Sequence, residues 1–220
     1  MAILRAVADE PASLAELVTR TGLPRATAHR LAVALEGHRL VERAPDGAWV
    51  PGPALAELGR SGAGLAEIAG RHLVALRDSS GESSQFYVRE GGTRICVAAA
   101  ERTSGLRDTV PVGARLPMTA GSAAHALLAF APSDEVTRLL PAASFTARTL
   151  LDVRRRGWAH SIAEREPGVA SLSAPVRSTS GTVLGAVSIS GPVERLGRRP
   201  SPEIVGAVLD AAAAIGRATG

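Results

Sequence analysis

The chain contains no lysine, a single cysteine and only 3% aromatic residues. Each scarcity excludes something. With one thiol, Cys96, no intrachain disulfide can form, and a reducing cytoplasm is the expected compartment. Without lysine the phosphate-binding run G-x-x-x-x-G-K-[ST] cannot exist. No uncharged apolar run reaches the roughly 18 residues that a membrane span needs. The start, MAILRAVADE, lacks the basic-then-apolar layout of a secretory signal. There is no G-x-S-x-G elbow, no H-E-x-x-H pair and no paired cysteine motif, and the five histidines are scattered. Serines, His125, His160, Glu164 and Glu166 still permit an imagined hydrolytic triad, so an enzyme stays a competing reading. No catalytic residue, metal ligand or cofactor is assigned.

What is present is ordinary for a globular protein: 220 residues, 45% hydrophobic and 21% charged. At roughly 100–200 residues per domain, one large or two small domains fit. All 25 basic residues are arginine, set against 21 acids for a net charge of +4. With heavy alanine and glycine usage this is the mark of GC-rich coding, and the net charge is only a mild bias toward polyanions. Local distribution says more. Residues 20–43 hold Arg20, Arg25, Arg30, Arg39 and Arg43 against Glu36 and Glu42 alone.

That basic stretch lies inside a recognisable pattern. Residues 3–8 read as a short apolar helix. Ser13 precedes LAEL with Glu16 three residues on, a capping box that starts a helix over about 14–20. Thr21-Gly22-Leu23 supplies a tight turn and Pro24 opens a third helix over about 24–37. Ala28, Leu31 and Leu35 share its inner face, with Ala32 beside them. Two helices joined by a short Gly-containing turn form a helix-turn-helix. Leu40–Arg43, the Asp46-Gly47 turn and Ala48–Val50 then read as a hairpin, the wing of a winged helix. The second helix of the pair enters a major groove, so Arg25, Thr27, His29 and Arg30 are the expected DNA contacts, with Arg43 reaching DNA from the wing. Taken alone, Arg25 and Arg30 are equally ordinary solvated helix residues. A winged helix used only for protein contacts also remains open.

The stretch SLAELVTRTGLPRATAHRLAVALEGHRLVER resembles the DNA-binding segment of the IclR family of bacterial transcription regulators. Further on, ARLPMTAGSAAHALLAF, FTARTL, VRRRGWA, EREPGVASLSAPV and VSISGP resemble that family's effector-domain blocks, in the family's order. The chain is similar in particular to the actinobacterial NdgR-type subgroup linked to amino-acid metabolism. The segment joining FTARTL to VRRRGWA is shorter than in most members, which predicts a trimmed helix there.

Pro51-Gly52-Pro53 closes the wing, and Ala54–Gly59 reads as a helical piece interrupted at Ser61–Gly64. The domains are therefore drawn as 1–53, a winged helix-turn-helix; 54–64, a linker; and 65–220, an effector-binding domain. In the last, a helix over 65–78 precedes strands at 84–89, 94–100 and 107–112. A helix over 120–131, two strong strands at 168–177 and 183–191, and a closing helix over 202–217 follow. Helices beside an antiparallel sheet make the class α+β. The resemblance implies a linker helix that helps pair subunits and a GAF-like effector domain. Cys96 reads as a buried, inert thiol.

The backbone amides of Ser122 and Ala123, at a helix start, are candidates for an acid group, the alternative being that Ser122 merely caps the helix. Ser188 and Ser190 share one face of a strand. With Ser171 they match the family's ligand-contacting positions, and a solvent-exposed polar face is the alternative. Ser161 stands where many relatives carry an acid. Leu106, Val110 and Leu116 are candidates for an apolar wall. The whole predicts a homodimer, or a tetramer, that reads a pseudo-palindromic double-stranded operator under control of a small-molecule effector, an amino acid or small organic acid.

Overall fold

The computed structural model describes residues 1–8 and 10–219, and of residues 58–63 only the backbone. It divides into two compact units, Met1–Ala63 and Gly64–Gly220. The first unit is built from α1 (Ala2–Ala8), α2 (Leu14–Thr21), α3 (Arg25–Gly37), β1 (Val41–Arg43) and β2 (Trp49–Pro51). Ser13 and Glu16 start α2 reciprocally: the Glu16 carboxylate accepts from the Ser13 amide at 2.7 Å, and the Ser13 hydroxyl accepts from the Glu16 amide at 3.3 Å. The helix ends at Gly22, whose φ of 67° is the left-handed conformation that glycine reaches without a Cβ clash.

Pro24 differs from its expected place. It sits just before α3 at ψ 140°, outside the first helical turn. The inner face of α3 also differs. Ala28 and Ala32 are fully buried, Leu35 is half-buried, and Leu31 is 44% exposed. Two alanines four residues apart let α3 sit close against the helices it packs on, which turns Leu31 outward.

The hairpin pairs Val41 with Pro51 and Arg43 with Trp49. Asp46 accepts from the Ala48 amide at 3.0 Å and tightens the turn. A third strand contact had no sequence signal: Ala12 and Trp49 exchange backbone hydrogen bonds at 2.9 and 2.8 Å. They tie the α1–α2 connection to the wing. Trp49, 1% exposed, closes this unit's core over Ile3, Val7, Leu17 and Val41.

The next helix, α4, has the bounds Pro53–Ser80. The interruption expected at Ser61–Gly64 falls on residues 61–63, which lie outside the described side chains. In the second unit follow β3 (Ser83–Glu90), β4 (Thr93–Ala100), β5 (Arg115–Pro117), α5 (Ser122–Leu128), α6 (Ser133–Leu139), a 3-10 turn (Leu140–Ala142), α7 (Ala147–Arg156), β6 (Ala159–Ile162), β7 (Val169–Arg177), β8 (Val183–Pro192), α8 (Val193–Leu196) and α9 (Pro202–Ala218). FTARTL and VRRRGWA thus run into a single helix, α7, with Leu151 and Asp152 between them.

The strands form one six-stranded sheet in the order β5-β4-β3-β8-β7-β6, every pair antiparallel. Helices beside an antiparallel sheet make the class α+β. The strand expected at 107–112 is irregular chain instead. The edge of β4 is already taken there, because Cys96 bonds Ala114 and Gly113 at 3.0 and 2.7 Å and β5 continues the pairing.

Alternation along β7 and β8 sends Ala170, Leu172, Ala174, Val176, Val187 and Ile189 to one face. They pack there beneath Leu73 and Leu76 of α4 and Val208 and Ile215 of α9. The serines between them turn to the opposite face, under α5 and α7. Gly185 of β8 allows a close approach: a Cβ there would lie 2.4 Å from the Phe86 ring and 2.6 Å from the Tyr87 carbonyl oxygen.

Gly185→Ala is expected to lower stability by roughly 1–3 kcal/mol, as overpacking does, visible as a lower urea midpoint at unchanged slope. Cys96 is fully buried and its burial pushes the thiol up to about 11. It should react with a thiol reagent at pH 8 only as fast as the protein opens; immediate labelling of the native protein would contradict this placement.

Candidate functional site

In the first unit, protein contacts sort the arginines of the basic stretch. Arg20 donates to the carbonyls of Ala6 and Glu10 at 2.8 and 3.1 Å, so it braces the end of α1. Arg39 pairs with Glu57 at 2.6 Å. Arg43 lies 4.2 Å over the Trp49 ring with Glu36 at 3.8 Å, which holds it at the base of the wing with its charge still exposed. Arg25 and Arg30 are exposed and have no ion pair or hydrogen bond among the described residues.

These two share the open face of α3 with Ala26, His29 and the 43% exposed Val33, while Thr27 is half-buried at its edge. Guanidinium forks read guanine edges, and a bare Val33 suits a thymine methyl. The first turn of α3 carries no acid and no side-chain cap, so its free amides can take a phosphate.

In the second unit, Ser122, Ala123, Ser161, Ser171, Ser188 and Ser190 line one small pocket. Strand register builds it. Ser161 lies opposite Ser171, Ser171 opposite Ser190, and Ser173 opposite Ser188. The hydroxyls then bond in a chain. Ser161 meets Ser171 at 2.8 Å, Ser171 meets Ser122 at 2.7 Å, Ser122 meets Ser173 at 2.7 Å, and Ser173 donates to Ser188 at 2.8 Å. Ser190 bonds the buried Gln85 instead, at 3.1 Å.

The amide of Ser122 donates to the Ser161 hydroxyl at 3.0 Å, so it is already occupied. The Gly121 amide donates at 2.9 Å to the Glu164 carboxylate, which also holds Nε2 of the buried His125 at 2.8 Å. The helix start therefore carries an internal carboxylate and hydroxyl.

Leu106 stands apart: its side chain is 74% exposed and its carbonyl accepts from Arg195 at 2.7 Å. Leu116 and Val110 belong to the apolar cluster around Cys96 and do not line the pocket. The irregular backbone at 107–112 explains Leu106, which lies outside any strand that could aim it inward.

Arg94 carries no motif in the sequence. It lines the same pocket and is 2% exposed. One nitrogen donates to the Pro117 carbonyl, its guanidinium lies 5.4 Å from the Tyr87 ring centre, and Nε has no partner. Among the described residues no carboxylate lies within ion-pairing distance of it. Burial pushes this guanidinium down to about 10. The available signal was parity, since Arg94 is two residues from Cys96 on one strand and turns the same way. Asp108 and Arg165 pair at the pocket wall, Asp108 being buried. The space left is about 20 Å³, room for roughly one water.

A winged helix with a free basic face, together with a sheet domain that encloses a polar pocket, defines a DNA-binding regulator with a ligand-sensing domain. The chain belongs to the IclR family. Residues 1–45 match the IclR helix-turn-helix domain, and residues 60–217 match the bacterial transcriptional regulator IclR C-terminal domain. The glycerol operon regulatory protein of Streptomyces griseus is 33% identical over 100% of this chain and 94% of its own length. The transcriptional repressor IclR of Escherichia coli is 29% identical over 84% of this chain and 74% of its own. A solved transcriptional regulator of Rhodococcus sp. RHA1 is 29% identical, with a TM-score of 0.62 over 98% of this chain and 93% of that one.

Arg30→Ala and Arg25→Ala should each weaken operator binding by about 1–3 kcal/mol if they read bases, measured by fluorescence anisotropy at fixed salt. Arg39→Ala, whose guanidinium is paired with Glu57, should leave that affinity unchanged. Equal losses at all three would mean that general positive charge acts, and not the face of α3.

Proposed function

We propose that this regulator is a cytoplasmic homodimer or tetramer that reads a pseudo-palindromic operator through Arg25, Thr27, His29 and Arg30 of α3, with Arg43 adding a contact from the wing. Its effector is an amino acid or a small organic acid held among Ser122, Ala123, Ser161, Ser171, Ser188 and Ser190, and its function is regulation, not catalysis. The resemblance to the NdgR-type subgroup supports amino-acid metabolism genes as its targets.

The observation that carries the effector class is Arg94. A buried charge with no ion-pair partner is costly, and a carbonyl, a ring face and the nearby Glu164 carboxylate offset only part of that cost. A ligand carboxylate supplies the missing partner in bidentate geometry. The serine hydroxyls, each able to donate or accept, suit an amino or keto group beside it. Serine at position 161 keeps a further carboxylate out of a pocket that takes an acid.

The pocket leaves about 20 Å³ free, so an acid enters only as the wall opens. The Asp108–Arg165 pair is the contact to be released. Linkage then requires the acid to favour one of two arrangements of differing operator affinity.

Arg94→Met should abolish the response of operator binding to amino acids and 2-oxo acids. The same change should leave unliganded operator affinity intact and raise the urea midpoint, because a buried uncompensated charge is gone. A variant that still responds, or one that is strongly destabilised, would remove Arg94 from this role.

A further inference from the structure

A second cavity, of about 560 Å³, opens between α7, the end of β7 and α9, and shares no residue with the serine pocket. Five guanidinium groups line it: Arg154, Arg155 and Arg156 from the last turn of α7, Arg177 from the end of β7, and Arg217 from the last turn of α9. No carboxylate lines it among the described residues. The whole chain has a net charge of +4, so this one groove gathers more positive charge than the protein carries overall. Arginine-rich coding scatters charge along a chain; it does not bring it together from three separate elements.

Helix ends explain part of the pattern. A cation in the last turn is favoured by the helix dipole, which accounts for Arg217 and for the α7 trio. It does not account for Arg177, nor for the meeting of two helix ends and a strand end in one groove. Several of these groups are also held in place without being neutralised. Arg177 lies 3.9 Å over the Phe130 ring and donates to the Gly181 carbonyl at 3.1 Å. Arg156 lies 3.9 Å over Trp158 and donates to its carbonyl at 2.6 Å. Arg154 donates to the Ala129 carbonyl. Ring faces and carbonyls fix direction and leave full positive charge. Among the described residues only Arg155 of the five forms an ion pair, with Asp152 at 2.9 Å at the exposed edge. Between the cations the floor is apolar, made by Pro175, Leu209, Ala212 and Ala213.

We propose that this groove binds a small phosphate-bearing metabolite with an apolar or aromatic body. The volume falls within the roughly 300–1,000 Å³ of small-molecule sites. Guanidinium forks match phosphate oxygens two at a time, and the apolar floor takes the body of the ligand. A nucleic-acid backbone would call for a ridge of cations; a concave groove with an apolar floor fits a compact ligand. The site is separate from the effector pocket and gives the regulator a second metabolic input.

The test is isothermal titration of the full-length protein with ATP as probe, beside pyrophosphate and adenosine as its parts. ATP should bind saturably, pyrophosphate more weakly, and adenosine not at all. The exposed double change Arg177→Gln with Arg217→Gln should weaken ATP on the order of tenfold or more, as lost charge-assisted contacts do. Its circular dichroism and urea midpoint should stay those of the parent. Arg94→Gln should leave ATP binding unchanged, which separates this site from the effector pocket. Absence of saturable binding, equal binding of adenosine, or an unchanged affinity in the double variant would each overturn the proposal. So would a double variant that changes only sedimentation, since the groove would then be a contact between copies.

Discussion

Every hydroxyl that the second unit's sheet turns toward α5 must find a partner without bulk water, and the effector domain is organised around that requirement. A hydroxyl both donates and accepts, so serines placed opposite one another can satisfy each other in a chain. Ser161, Ser171, Ser122, Ser173 and Ser188 do so at 2.7–2.8 Å, linking β6, β7, β8 and the start of α5. The register of β6–β7–β8 and the position of α5 are therefore fixed by one polar network, while the opposite face of the same strands is apolar and packs under α4 and α9. Among the described residues Arg94 makes no hydrogen bond to that network: one nitrogen donates to the Pro117 carbonyl and Nε has no partner.

The first unit solves a different problem with the same residue type. It spends Arg20 on a helix end, Arg39 on Glu57 and Arg43 on the Trp49 ring. Those contacts hold the helix-turn-helix and the wing as one small body, although Trp49 is the only large aromatic side chain in its core. What is left over, Arg25 and Arg30 beside Val33 and His29, is concentrated on the open face of α3.

Legibility in the sequence followed locality. Ser13 with Glu16, Gly22, and Asp46 with Gly47 each act over two to four residues, and each specified its element. The long strands β7 and β8 were legible because their alternation is regular over nine and ten residues. The short strands β5 and β6, of three and four residues, carry too little pattern. They exist because a neighbouring edge was available to pair with. The Ala12–Trp49 bridge is likewise a long-range contact without a local sign. Leu31 and Leu106 misled because leucine suggests an interior position, whereas helix packing and an irregular loop turned both outward. Arg94 was hidden for the converse reason: a charged residue on a strand suggests solvent, and only its shared parity with Cys96 argued otherwise.

Recognition of a carboxylate in this pocket, passed on to operator affinity, is what we propose for the second unit. It is tested most directly by operator-binding anisotropy of the full-length protein against a panel of amino acids and 2-oxo acids, each beside its neutral amide. An acid that shifts operator affinity while its amide does not is the predicted result. A neutral amide that acts as well as its acid would contradict the claim.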